Sequence, residues 1–164
     1  FEMSLHGSDQ LYRLYKDFEY AQLRVPISRK SFNQSRIFFA TSCGELISAI
    51  TISESHPILR IRSIFSARLQ TKDVERKKMI SYASRRLVWE ICQWGIQNNF
   101  RLLDLASVNT ENPRTKNIAA FKMSFGGTKR LEYTYVYKTP LYRFFESFVF
   151  FPLFLRRKIR KMLH

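Results

Sequence analysis

Apolar side chains recur at three- and four-residue spacing over residues 9–24. Leu11, Leu14, Tyr15, Phe18 and Ala21 or Gln22 fall on one side, which predicts an amphipathic helix that Pro26 ends. The period then shortens to that of strands. Runs at 36–42, 46–53 and 58–67 read as an antiparallel meander, its first two strands joined by Cys43-Gly44-Glu45 and its last two separated by His56-Pro57. Residues 70–78 are a charged connection, and 79–98 place Ile80, Ala83, Leu87, Ile91, Cys92 and Gly95 on one face of a second long helix. The nearly continuous apolar run at 100–106 has the character of a strand covered on both faces, and its approach through a helix and short turn sets it parallel to the third meander strand, near the sheet centre. A short helix at 116–125, ended by Gly126-Gly127, and a last strand with alternating Leu131, Tyr133, Tyr135 and Tyr137 complete the body, the tyrosines packing across the sheet. The expected class is α/β, with an antiparallel meander and a central parallel strand pair in one mixed sheet.

The C-terminal segment has a different pattern. Thr139-Pro140 reads as an N-cap followed by proline at the first helical position. Beyond it Leu141, Phe144, Phe145, Phe148, Phe151, Leu155, Ile159 and Met162 form a helical stripe, bent at Pro152, with Arg156, Arg157, Lys158, Arg160 and Lys161 gathered near its end. Its most apolar run, 144–155, includes Glu146 and Ser147 and falls short of the roughly 20 apolar residues that span a bilayer. The helix either lies in the plane of an anionic membrane surface, aromatic side down, or docks on the protein's own core. The chain is thus expected to divide into a body, 1–138, and an amphipathic basic helix, 139–164.

Composition adds a partner. The 164 residues, 45% hydrophobic, suffice for one core, and two cysteines without a secretory signal fit a reducing compartment. The chain begins with Phe1, which leaves preceding sequence possible. With 28 Lys and Arg against 13 Asp and Glu, the net charge is +15, and about a third of the excess lies in 141–164. An anion is expected to answer it: nucleic acid, acidic headgroups or a phosphorylated substrate.

Several chemistries lack their residues. His6, His56 and His164 are scattered and Cys43 and Cys92 are unpaired, so no metal site is expected. No P-loop, dinucleotide-binding glycine loop or nucleophile elbow occurs, and Cys92 sits on an apolar helix face as a core residue. What remains lies between Asp104 and Arg130. A strand ends in Asp104-Leu105-Ala106-Ser107, a polar loop carrying Asn109 follows, and Ala119-Ala120-Phe121-Lys122-Met123-Ser124-Phe125-Gly126-Gly127 closes a short helix.

This segment, preceded by the helix RRLVWEICQWGIQN, resembles the Fem-type peptidoglycan bridge transferases and their relatives in the GNAT acyltransferase superfamily. Their pattern is a W-E-x-x-x-W/A helix, a strand ending in D-L-G-G, a loop, and A-x-F-K-x-x-F-G-G. Trp89, Glu90, Asp104, Leu105, Ala120, Phe121, Lys122, Phe125, Gly126 and Gly127 match it. The resemblance covers about residues 9–143. Two departures stand out: Ala106-Ser107 replaces Gly-Gly, and the connection before Tyr82 lacks the glycine-rich pyrophosphate loop of acetyl-CoA users.

The resemblance implies a GNAT-like N-acyltransferase. Its donor would be an acyl-CoA or an aminoacyl-tRNA, and its acceptor an amine-bearing sugar or peptidoglycan precursor, with the enzyme peripheral on the cytoplasmic face of the cell membrane. Lys122 is then an ammonium stabilising the oxyanion of acyl transfer, or else a solvated lysine. Asp104 either orients or deprotonates the amine or caps a backbone amide. Phe121 is a pocket wall or core, and Asn109, Trp89 and Glu90 complete the substrate set. Arg68, Lys72, Lys78, Arg85 and Arg86, near the start of the long helix, form either a phosphate site or a solvated charged face. The rival reading is a non-enzymatic basic module that binds nucleic acid or anionic lipid.

Overall fold

The computed structural model describes residues 8–107 and 116–131, positions 133, 135, 137 and 139, and the backbone of 2–4. The chain forms two compact units, Phe1–Phe125 and Gly126–His164. The first holds β1 (Glu2–Ser4), α1 (Asp9–Ala21), α2 (Arg29–Asn33), β2 (Arg36–Ser42), β3 (Glu45–Ser55), β4 (Ile58–Ser66), α3 (Val74–Gln97), β5 (Leu102–Asp104) and α4 (Lys116–Met123), with a helical turn, Ala67–Gln70, before α3. In the second, Leu131, Tyr133, Tyr135 and Tyr137 are exposed and belong to no strand. The expected cross-strand tyrosine ladder is not seen among the described residues. The positions between them, and the expected helix 139–164 beyond Thr139, lie outside the described residues.

The sheet runs in the order β1-β2-β3-β4-β5, antiparallel except for the last pair. Cys43 and Gly44 both adopt left-handed backbone, which suits the two-residue turn joining twisted strands β2 and β3. β3 is buried from Ile47 to Ile52 because helices cover both faces. On one, Tyr15 of α1 and Phe32 of α2 pack on Phe65 with ring centroids 5.4 and 6.0 Å away. On the other, Trp94 of α3 meets Phe38 at 5.8 Å, and the hydroxyls of Ser84 and Ser48 share a buried hydrogen bond of 2.8 Å.

The helices begin where side chains supply the missing acceptors. Ser8 caps α1 by accepting from Leu11 N, Ser28 caps α2 by accepting from Ser31 N, and Asp73 caps α3 by accepting from Glu75 N. α3 therefore starts at Val74, and residues 74–78 are its first turn rather than part of a connection. This turn has no buried residue, so hydrophobic periodicity begins only at Ile80, where the helix meets the sheet.

The apolar run at 100–106 also behaves differently from expectation. Among the described residues its strand is limited to Leu102–Asp104 and comes last in the sheet order, with Leu102 44% exposed. Its parallel pairing with β4 is as expected. α3 reaches it through a close approach at Gly95, where a Cβ would stand 2.8 Å from Leu59 Cδ1. Gly95→Val should therefore lower unfolding free energy by about 1–3 kcal/mol through overpacking. Denaturant titration tests this; parental stability would mean that Leu59 and α3 repack freely.

Candidate functional site

β4 and β5 pair through Ile58↔Leu102, Leu59↔Leu103 and Arg60↔Asp104; there β5 stops while β4 continues to Ser66. A crevice at the carboxyl ends of parallel strands is where α/β sheets receive ligands. Register sets Arg60 and Asp104 side by side, and Arg60 Nε donates to Asp104 Oδ2 at 2.5 Å. The other carboxylate oxygen, Oδ1, accepts from Ala106 N at 2.7 Å, closing a turn of the kind aspartate favours. Of the two readings open for Asp104, this is the backbone-capping one.

The turn has a local cost and a local use. Ala106 sits at φ 60°, a left-handed conformation its Cβ disfavours, at the position where the resembling family carries glycine. Beyond it, the Ser107 carbonyl accepts a 2.8 Å hydrogen bond from Lys122 Nζ on α4. Burial lowers the Lys122 pKa from the ordinary lysine value, and the nearby Asp104 carboxylate acts in the opposite direction.

α4 is held by aromatic and cationic contacts. Phe121 and Phe125 meet edge to face at 5.1 Å, both partly buried against the core, with the Arg85 guanidinium 5.3 and 5.9 Å from their rings. Arg85 also donates to Ser124 Oγ at 2.7 Å, and that hydroxyl donates to the Phe121 carbonyl. Phe121 is thus part of the packing that seats Lys122, and Arg85 links α3 to α4.

The other expected site residues are dispersed. Lys78 pairs with Glu75, and Arg86 pairs with Glu90 along α3. Trp89 is 55% exposed, while Arg68 lies on the turn before α3 and Lys72 precedes its cap. Asn109 and the aromatic and basic residues expected to meet a membrane, Phe144 to Lys161, lie outside the described residues. Arg60 and Ser107 were not among the expected site residues. Arg60's signal was a positive charge repeated with Arg62 inside an otherwise apolar strand; Ser107 contributes only its main-chain carbonyl.

No family model and no curated protein sequence matches the chain. Solved structures do. A ribosomal-protein-alanine N-acetyltransferase from Brucella melitensis biovar Abortus 2308 aligns over 84% of this chain and 97% of its own, with 12% identity and TM-score 0.59. An aminoglycoside acetyltransferase from an uncultured soil metagenomic sample, in complex with sisomicin, aligns over 79% and 86%, with 12% identity and TM-score 0.53. The aminoglycoside N-acetyltransferase AAC(6')-Iy in complex with CoA aligns over 85% and 95%, with 14% identity and TM-score 0.51. At these identities the likeness is one of fold. The chain shares the mixed-sheet α/β fold of these acetyltransferases.

Lys122 carries a stability cost with a definite sign. Between its lowered folded value and the ordinary lysine value, the unfolded chain binds more protons, so folded-state stability rises with pH in that window. The stability difference between the parent and Lys122→Met should therefore move toward the parent as pH climbs through the window. Paired denaturant titrations at stepped pH read it; a flat difference would place Lys122 in ordinary solvent.

Proposed function

We propose that this protein is an N-acyltransferase that moves an acyl group from an acyl-CoA donor to an amine. The carrying observation is the Lys122 ammonium, half-buried and anchored on the Ser107 carbonyl beside the end of the β4–β5 pairing. Attack of an amine on a thioester carbonyl develops an oxyanion, and a fixed positive charge nearby stabilises it, by about 2.7–4 kcal/mol for a well-placed donor. Asp104 shapes this site through the Ala106 turn.

For the donor, fit is by side-chain charge. Arg68, Lys72 and Lys77, around the start of α3, suit its phosphates, whereas the Glu75 amide is already held by Asp73. When bound, acyl-CoA supplies an activated thioester carbon. The CoA complex of a similar fold favours this donor over an aminoacyl-tRNA.

The finer reading rests on the Fem-type pattern and on charge. We place the acceptor among amine-bearing sugars or peptidoglycan precursors, and the enzyme on the cytoplasmic face of the cell membrane, with residues 139–164 as the lipid contact. Lys122→Ala is expected to lower amine acylation about 10²–10³-fold with the fold intact by circular dichroism. Undiminished turnover would remove Lys122 from the chemistry. In flotation with anionic liposomes, the chain without residues 141–164 should stay with the soluble fraction; equal flotation would remove the tail as the lipid contact.

A further inference from the structure

A carboxylate and an ammonium in one half-buried site would ordinarily pair directly, each consuming the other's charge. Here they do not engage each other in that way. Asp104 gives Oδ2 to Arg60 and Oδ1 to Ala106 N, while Lys122 Nζ turns to a neutral acceptor, the Ser107 carbonyl. The contacts form one chain: Arg60 on β4, Asp104 at the end of β5, the left-handed Ala106, Ser107, then Lys122 on α4. Charged groups from three elements surround it, Arg60 from β4, Asp104 from β5 and Arg85 from α3 over the rings beside Lys122.

We propose that Arg60 is a positioning residue, whose hold on Asp104 both fixes the turn that presents Ser107 and keeps the carboxylate from neutralising Lys122. The charge of Lys122 is thereby left to the substrate. This rests on the transferase reading for its purpose, but the geometry can be tested without it. Without Arg60, Oδ2 is released and can swing to Lys122, stabilising the ammonium. With Asp104→Asn, no carboxylate remains to do so.

The test is the pH profile of Lys122 acetylation by acetic anhydride under limiting conditions, read by peptide mass spectrometry on the whole folded chain. Arg60→Met should move the Lys122 midpoint up by about one pH unit, a roughly tenfold loss of free amine at fixed pH below it. Arg60→Lys should retain the parental midpoint, and Arg60→Met with Asp104→Asn should return it to the parental value or lower. A folded Arg60→Met with an unchanged profile, or a double variant that keeps the raised midpoint, overturns the proposal. Should Arg60→Met not fold, Arg60→Thr, a strand-favouring side chain too short to reach Asp104, is read in its place: the same rise in the Lys122 midpoint supports the proposal and an unchanged midpoint overturns it. Labelling that behaves as stated in a chain without acyl transfer would reject the transferase reading and leave the role of Arg60 standing.

Discussion

The close passage of α3 over β4 governs where everything else can be. Gly95 lets the helix backbone come down on Leu59, and Phe100 N then donates back to the Gly95 carbonyl as the chain reverses. The reversal delivers β5 alongside the first residues of β4, with Arg101 N bonded to the Pro57 carbonyl. A larger residue at 95 would have to displace the Leu59 side chain, which is fully buried under the helix. The three paired positions of β4 and β5 are set next to that close passage.

Legibility in the sequence followed burial. α1, the meander, the sheet-facing part of α3 and α4 were readable because each alternates apolar and polar positions against the core. β1 and α2 were not, since Glu2–Ser4 is only three residues and α2 is a single turn whose one buried residue is Phe32. The first turn of α3 projects past the core and carries charge all round. The strand at 102–104 is shorter than the apolar run at 100–106 that announced it, because an apolar run does not reveal that Asp104 binds the Ala106 amide and turns the chain.

The site divided along similar lines. Lys122, Phe121 and Asp104 were singled out from a local motif, and the fold brings Lys122 and Asp104 to the same turn, Asp104 through Ala106 N and Lys122 through the Ser107 carbonyl. What sets their roles joins residues far apart in the chain: Arg60 reaches Asp104 across 44 positions, and Lys122 reaches a main-chain carbonyl that no side-chain pattern records. The basic residues of α3 illustrate the converse. They cluster in sequence, yet Lys78 and Arg86 are engaged by neighbouring glutamates, while Arg85 turns to α4.

The stretch of β4 beyond Arg60 has a meaning apart from any ligand. A strand edge with uncommitted backbone groups is a template on which another chain can add a strand, and such edges seed aggregation. Among the described residues no strand covers this one. Arg60, exposed and at the last position of β4 that β5 pairs, puts charge where that stretch begins, and a second copy docking there would have to strip water from it. The arginine that holds Asp104 thus also works against the protein polymerising through its own sheet edge.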